Sequence, residues 1–135
     1  MIQAQELRIG NWFEHCGFYY QSTGVLENAS YFTPKEDFGD RLAYLAEIKP
    51  IPLTEEILLK CGFERTITPM QALDYIDYRM NQFVCFLLPT GKLEVEFYAN
   101  NNKIDERGYL TSVIYLHQLQ NLFYCLCGKE LEVKL

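Results

Sequence analysis

The chain has 135 residues and a formal net charge of −6, and 49% of its residues are hydrophobic and 15% aromatic. This length allows one domain with its own core, and the aromatic content excludes a disordered chain. The negative charge argues against a non-specific nucleic-acid binder and against a protein that lies on anionic membranes. We therefore expect an acidic globular domain over residues 1–135, with a subdivision into residues 1–50 and 51–135 as the alternative.

The cysteines and the first residues bear on the compartment. Five cysteines are an odd number in a chain that needs no disulfide to build a core, and residues 1–7 lack the basic and apolar segments of a signal peptide. Residues 109–127 are long enough to cross a bilayer, but polar side chains from Thr111 to Asn121 interrupt them. These features predict a reduced, cytoplasmic protein without a transmembrane helix.

The first third of the chain predicts a small, strongly bent antiparallel sheet. Residues 7–14 and 18–26 are rich in aromatic and aliphatic side chains, and they flank a turn at residues 15–17 that contains a glycine. Residues 27–40 are polar and contain Asn, Ser, Pro and Gly, which predicts a loop. Residues 42–48 predict a third strand, so we expect an SH3-like, three-stranded N-terminal part.

The clearest helix signal lies in the middle of the chain. Thr54 is a suitable N-cap, and Glu55 and Glu56 follow it where the helix dipole favours negative charge. Gly62 suits the left-handed backbone that ends many helices. We therefore predict a short helix near residues 55–61.

A second helix signal follows at Thr68-Pro69-Met70-Gln71. This run combines a capping box with proline at the first helical position, and it predicts a helix that continues to about Tyr75. Residues 75–80 fit a strand equally well, so both alternatives stay open for this segment.

The second half of the chain combines strands with one long helix. Residues 82–88 form a short apolar run, which predicts a strand covered on both faces. Charged and apolar side chains alternate after the next turn, so we predict a hairpin over residues 82–98. Residues 115–127 have helical periodicity and end at a glycine, and residues 130–135 alternate like a final strand. The predicted class is α+β, with a mainly antiparallel sheet.

Three groups of residues carry a resemblance to a known family. They are ELRIGNW at residues 6–12, PIPLTEE at 50–56 with LLKCGF at 58–63, and HQLQNL at 117–122. With these motifs the chain resembles a family of small uncharacterised proteins from gut bacteria and their phages and mobile elements. The resemblance implies an accessory role of phage or mobile-element type, and it implies no catalytic residue and no cofactor.

Residues that ligate zinc in other proteins are present, but their spacing does not fit a zinc site. His15 with Cys16, and His117 with Cys125 and Cys127, are ligands of the right chemistry. No Cys-x-x-Cys pair occurs, and cysteines two residues apart on a helix point about 160° away from each other. We therefore predict no metal and no other cofactor.

Catalytic constellations are also missing from the sequence. It contains no glycine-rich phosphate loop and no hydrolase or kinase signature. We do not expect Cys16 and His15 to form a nucleophile–base pair, because adjacent residues on an extended chain face opposite ways. Glu94 and Glu96 share one face of a strand, but this alternation is typical of a solvated face rather than of paired catalytic carboxylates. We predict that the protein is not an enzyme.

The polar face of the last predicted helix carries hydrogen-bonding side chains without charge. Either this face packs inside the domain, with its amides bonded to the backbone of the N-terminal strands, or it contacts another chain, since interfaces are depleted in charge and enriched in Tyr. The aromatic N-terminal strands suggest a further contact. The residues predicted for protein contact are His117, Gln118, Asn121, Tyr124 and Trp12.

These observations favour a non-enzymatic interaction module that binds another protein or a second copy of itself. The alternative is a nucleic-acid-associated small barrel, on which exposed aromatic rings stack single-stranded bases. Such a barrel needs a basic groove, and Arg8 is the only lysine or arginine in the first 34 residues. The sequence therefore argues against nucleic acid as the partner and against a membrane.

Overall fold

The computed structural model describes residues 2–3, 5–34, 39–69, 74–98 and 108–135. These residues form two antiparallel sheets, of four and five strands, and two helices, which confirms the predicted α+β class. The chain divides into two compact units. The first unit comprises Met1–Pro52 with Tyr115–Leu131, and the second comprises Leu53–Ile114 with Glu132–Leu135.

The first unit contains a four-stranded sheet whose strands follow one another in chain order. They are β1 (Trp12–His15), β2 (Phe18–Val25), β3 (Ala29–Phe32) and β4 (Arg41–Tyr44). After β4 the chain returns to β1, where Lys49 and Glu14 exchange two backbone hydrogen bonds of 2.8 and 2.9 Å. The sheet is therefore bent so far that the segment after its last strand lies beside its first strand.

The prediction of three N-terminal strands was wrong, because the expected loop over residues 27–40 contains β3. Serine is common in turns, but the buried hydroxyl of Ser30 lies 2.8 Å from the hydroxyl of Ser22 on β2. The two serines satisfy each other on the inner face of the sheet. The first strand also begins at Trp12 rather than at Leu7, because the backbone turns at Gly10 (φ +93°).

The core of the first unit lies on the inner face of this sheet. Phe13 and Phe32 pack edge to face, with ring centroids 5.9 Å apart, which is a favourable geometry for two aromatic rings. The buried members of this cluster are Ile2, Leu7, Phe13, Phe32, Ala43 and Ile48. The cluster therefore attaches the N-terminal segment to the sheet.

The second unit contains one short helix and a five-stranded antiparallel sheet in chain order. Its elements are α1 (Glu55–Lys60), β5 (Glu64–Pro69), β6 (Asp74–Met80), β7 (Phe83–Leu87), β8 (Leu93–Phe97) and β9 (Gly108–Val113). The Thr54 hydroxyl accepts a 3.3 Å hydrogen bond from the Ile57 N–H, so the predicted cap and helix are confirmed. The predicted hairpin is confirmed as β7 and β8.

The strand in residues 82–88 was predicted to be covered on both faces, but only one of its faces is fully buried. Phe83 and Cys85 are fully buried on one face of β7, whereas Val84 and Phe86 are half-buried on the other. Cys85 lies opposite the buried Val95 of β8. The apolar run thus has one buried face, which continues across the hairpin.

The prediction that a helix begins at Thr68 was wrong. Thr68 and Pro69 are the last residues of β5, and residues 70–73 lie outside the described residues. The strand alternative is confirmed by β6, because every residue of β5 pairs with a residue of β6. Pairing between the strands overrides the local capping pattern, which is a weak preference.

The last helix, α2 (Leu116–Cys127), is confirmed and ends at Gly128, whose φ of +68° is left-handed. The predicted final strand was wrong, because residues 129–135 form no strand pairing in the described structure. The Lys134 N–H donates a 3.0 Å hydrogen bond to the Lys60 carbonyl, but no ladder follows it. Within the described residues, no helix combines the length and the apolar character needed to cross a membrane.

Candidate functional site

The polar face of α2 lies against the N-terminal segment of the first unit. The Asn121 Oδ1 atom accepts hydrogen bonds of 2.9 Å from the Arg8 Nε–H and from the Asn11 amide. Its Nδ2 atom donates a 2.6 Å hydrogen bond to the Glu6 carbonyl. Asn121, predicted as a protein contact, therefore uses its amide for packing inside the unit.

Gln120 makes the most buried of these contacts, and it was not among the residues predicted from the sequence. Its Oε1 atom accepts a 2.9 Å hydrogen bond from the Trp12 N–H, and its Nε2 atom donates a 3.0 Å bond to the Gly10 carbonyl. A signal for it exists in the sequence, because Gln120 lies one turn after Leu116 and one turn before Phe123 on the apolar arc. An amide at such a position needs buried partners, and backbone groups are the usual ones.

Arg8 connects the N-terminal segment to the residues that follow α2. Its two terminal nitrogens lie 2.8 and 3.3 Å from the two carboxylate oxygens of Glu130, and this bidentate hydrogen bonding raises the pKa of Arg8. The guanidinium also lies 4.4 Å from the centre of the Tyr124 ring. Tyr124 is exposed, but Arg8 covers one face of its ring.

Trp12 and His117 were predicted as protein contacts, but both side chains are buried. A buried side chain gives a partner no surface in this conformation, so both assignments are corrected. The N-terminal segment covers the start of α2, and periodicity along the helix alone cannot show this. Gln118 is half-buried, and its Oε1 atom accepts a 3.2 Å hydrogen bond from the Tyr115 N–H at the start of α2.

The outer face of the first sheet carries three large exposed side chains. Tyr31 on β3 lies directly opposite Leu42 on β4, and Tyr44 follows two residues later on the same face. Their exposed fractions are 38%, 41% and 52%. We call these three residues the outer face. This surface was not predicted from the sequence, because residues 27–40, which contain β3, were predicted to form a loop.

Gly24 on β2 determines how Tyr31 lies on this face. It pairs with Tyr31 across the sheet, and a Cβ atom at this position would lie 3.1 Å from the Tyr31 ring. The ring therefore lies across the glycine, in space that a side chain would take. A side chain at Gly24 would therefore displace the Tyr31 ring from its present position.

The turn between β1 and β2 brings together two residues that were predicted to face apart. Cys16 has a left-handed backbone (φ +51°), and its Sγ atom lies 3.6 Å from the His15 Nε2 atom. The prediction placed both residues in a turn but applied the alternation of an extended chain to them, which does not hold at the left-handed Cys16. The other ring nitrogen, His15 Nδ1, lies 3.4 Å from the Glu47 carbonyl.

Four of the five thiols fall into two classes, buried and exposed, that a simple labelling experiment separates. Burial raises the pKa of Cys61 and of Cys85 to about 12, whereas Cys16 and Cys125 are exposed. We expect a thiol-specific reagent at pH 8 to modify Cys16 and Cys125 in the folded protein and to leave Cys61 and Cys85 unmodified. Peptide mapping checks this result, and labelling in urea is the control, since all five cysteines should then react.

Other chemistry proposed from the sequence stays local in the structure. Glu94 and Glu96 lie on the same face of β8, and the Tyr98 hydroxyl donates a 2.7 Å hydrogen bond to Glu96. In the part of the chain that the structure describes, no three His, Cys, Asp or Glu side chains lie close enough to hold a metal ion.

Comparisons with known proteins add no relative to this picture. No family model, no curated protein and no solved structure matches the chain. The proposed function therefore depends on contacts and exposed surfaces within the chain.

Proposed function

We propose that the protein is a non-enzymatic interaction module that binds another protein through the outer face, formed by Tyr31, Leu42 and Tyr44. The observation that carries this proposal is the contiguous exposure of these three side chains on one regular sheet surface. Large apolar groups that are exposed together are typical of interaction surfaces. The surface replaces the helix face predicted from the sequence, because α2 uses that face inside the unit.

The chemistry of the outer face favours a protein partner over nucleic acid. Tyrosine is enriched in protein interfaces, and charged residues are depleted in their centres. The net charge of −6 opposes nucleic acid, and Arg8 is already paired with Glu130. Phe18 and Tyr19 are also exposed on the first sheet, so base stacking is kept as an outcome of the test.

The setting of this activity is also part of the proposal. All five cysteines are unpaired, which supports a reducing compartment, and we place the protein in the cytoplasm. The family resemblance at residues 6–12, 50–63 and 117–122 supports an accessory role of phage or mobile-element type.

Replacing Leu42 and Tyr44 together by threonine is expected to weaken partner binding without unfolding the sheet. Threonine keeps the β propensity of the strand while it removes the exposed apolar area. If these two residues are central to the interface, the affinity should fall by about tenfold or more. Tagged protein captures the partner from host lysate, mass spectrometry identifies it, and titration with the purified partner gives the affinity.

The second sheet offers a matched control for this variant. Ile67 and Ile76 lie opposite each other on β5 and β6 and are also exposed, so their double replacement by threonine should leave binding unchanged. Full binding by the Leu42/Tyr44 variant would contradict the proposed surface. Capture that disappears after nuclease treatment of the lysate would instead support the nucleic-acid alternative. Sedimentation of the purified protein tests self-association.

A further inference from the structure

The imidazole of His117 is buried in the first unit without a hydrogen-bond partner. The residue is 1% exposed, and neither of its ring nitrogens has a partner within hydrogen-bonding distance in the described structure. Its ring stacks on the ring of Tyr115, with centroids 5.9 Å apart and planes 13° apart. Buried polar groups are nearly always hydrogen-bonded, so this site is held at a free-energy cost by the contacts around it.

The charged groups around His117 come from few elements. On the N-terminal segment, the Glu6 Oε2 atom lies 3.7 Å from the His117 Nε2 atom, which is too long for a direct hydrogen bond. Arg8 of the same segment is bound to Glu130. The segment that pairs with the start of α2 contributes Ile51 and Pro52, which carry no charge.

Two amide side chains that follow His117 by one turn hold the N-terminal segment on α2. Asn121 binds the Glu6 carbonyl and the side chains of Arg8 and Asn11, and Gln120 binds the Trp12 N–H. His117 lies on the same helix, within one turn of both amides. A charge on its imidazole would therefore be placed inside this contact.

We propose that His117 is a pH-sensitive latch, whose protonation releases the N-terminal segment (residues 5–12) from α2. Release allows water to reach the imidazolium and ends its burial. It also exposes Trp12, His117 and Asn121, three of the side chains predicted from the sequence as protein contacts. The proposal does not depend on the outer face, which lies on β3 and β4.

The direction of the effect follows from the balance at His117. Burial lowers the pKa of His117 below its ordinary value of 6.5. The attraction of Glu6 opposes this shift without cancelling it, and the positive charge of the N-terminal amino group adds to it. The released state therefore binds more protons than the packed state. The packed state loses stability as the pH falls below about 6.5, and it regains this stability as the pH rises again.

Hydrogen exchange at the backbone amide of Trp12, which donates to Gln120 on α2, tests the latch directly. After correction for intrinsic exchange rates, its protection should fall between pH 7.5 and pH 5.0 more than the protection of amides in β7 and β8. The His117→Gln variant, which has no titratable ring, should lose this pH dependence. An equal fall in this variant, or no fall in the wild type, would overturn the proposal.

A second variant keeps the test informative if His117→Gln does not fold. Glu6→Gln removes the carboxylate that favours the charged imidazole, so the latch should open more readily and the loss of protection at pH 5.0 should increase. A smaller loss than in the wild type would overturn the proposal.

Discussion

Phe13→Ala is expected to lower the free energy of unfolding of the first unit by about 3–5 kcal/mol, the usual cost of truncating a buried phenylalanine. Phe13 has no exposed surface, and its ring packs against Phe32 at 5.9 Å and Tyr20 at 6.4 Å. Removing the ring leaves a cavity and deletes both aromatic contacts. Urea unfolding followed by the fluorescence of Trp12, the only tryptophan, measures the effect within this unit.

The same hairpin provides the control for this substitution. Phe18 is the first residue of β2 and is 65% exposed. Phe18→Ala should therefore change the free energy of unfolding by less than about 0.5 kcal/mol. Phe13→Leu serves as the milder variant if Phe13→Ala does not fold. Equal effects of Phe13→Ala and Phe18→Ala would contradict the difference in burial between these two rings.

Gln120→Leu is expected to destabilise the first unit by about 1–3 kcal/mol, although it adds apolar surface at a buried position. Leucine has nearly the same volume, so the change mainly removes hydrogen bonds. The Trp12 N–H would lose its acceptor, the Gln120 Oε1 atom, and a buried donor without a partner is costly. Thermal and urea unfolding measure the loss.

Gln21→Leu is the matched control for Gln120→Leu. Gln21 donates a 3.2 Å hydrogen bond to the same Gly10 carbonyl that Gln120 binds, but from an exposed position. Its replacement leaves the Gly10 carbonyl with Gln120 as donor, so stability should change by less than about 0.5 kcal/mol. A stabilised Gln120→Leu protein would show that apolar packing, rather than the amide contacts, holds α2 against the N-terminal segment.

Three predictions that depend on a few neighbouring residues agree with the structure. Thr54 caps α1 through a contact three residues away, and Gly128 ends α2 through its own backbone conformation. The β7–β8 hairpin follows from the alternation on β8 and the turn before it. Each of these signals acts within one turn of helix or one hairpin, so the local sequence contains all the information needed.

Predictions that needed contacts between distant segments did not agree. Ser30 reads as a loop residue until Ser22 is known to lie beside it on the next strand. Thr68 and Pro69 read as a helix start until β6 pairs with them. On the polar face of α2, Asn121 follows the predicted alternative of packing inside the domain, and Tyr124 stays exposed. His117 is covered by a segment that lies more than 100 positions earlier in the chain, which the helix pattern could not show.

The α+β class, the two helices, the β7–β8 hairpin and the apolar arc of α2 can be predicted from the amino-acid sequence. These features depend on the period of apolar residues and on caps and turns, which are properties of short segments. Three other features become visible only in the folded chain: the amides of Gln120 and Asn121 bind the N-terminal segment, His117 is buried beside Glu6, and Tyr31, Leu42 and Tyr44 form one exposed face. The reason is that a polar side chain has the same local pattern whether its partner is water or a distant backbone group, and only the folded chain brings that partner within reach.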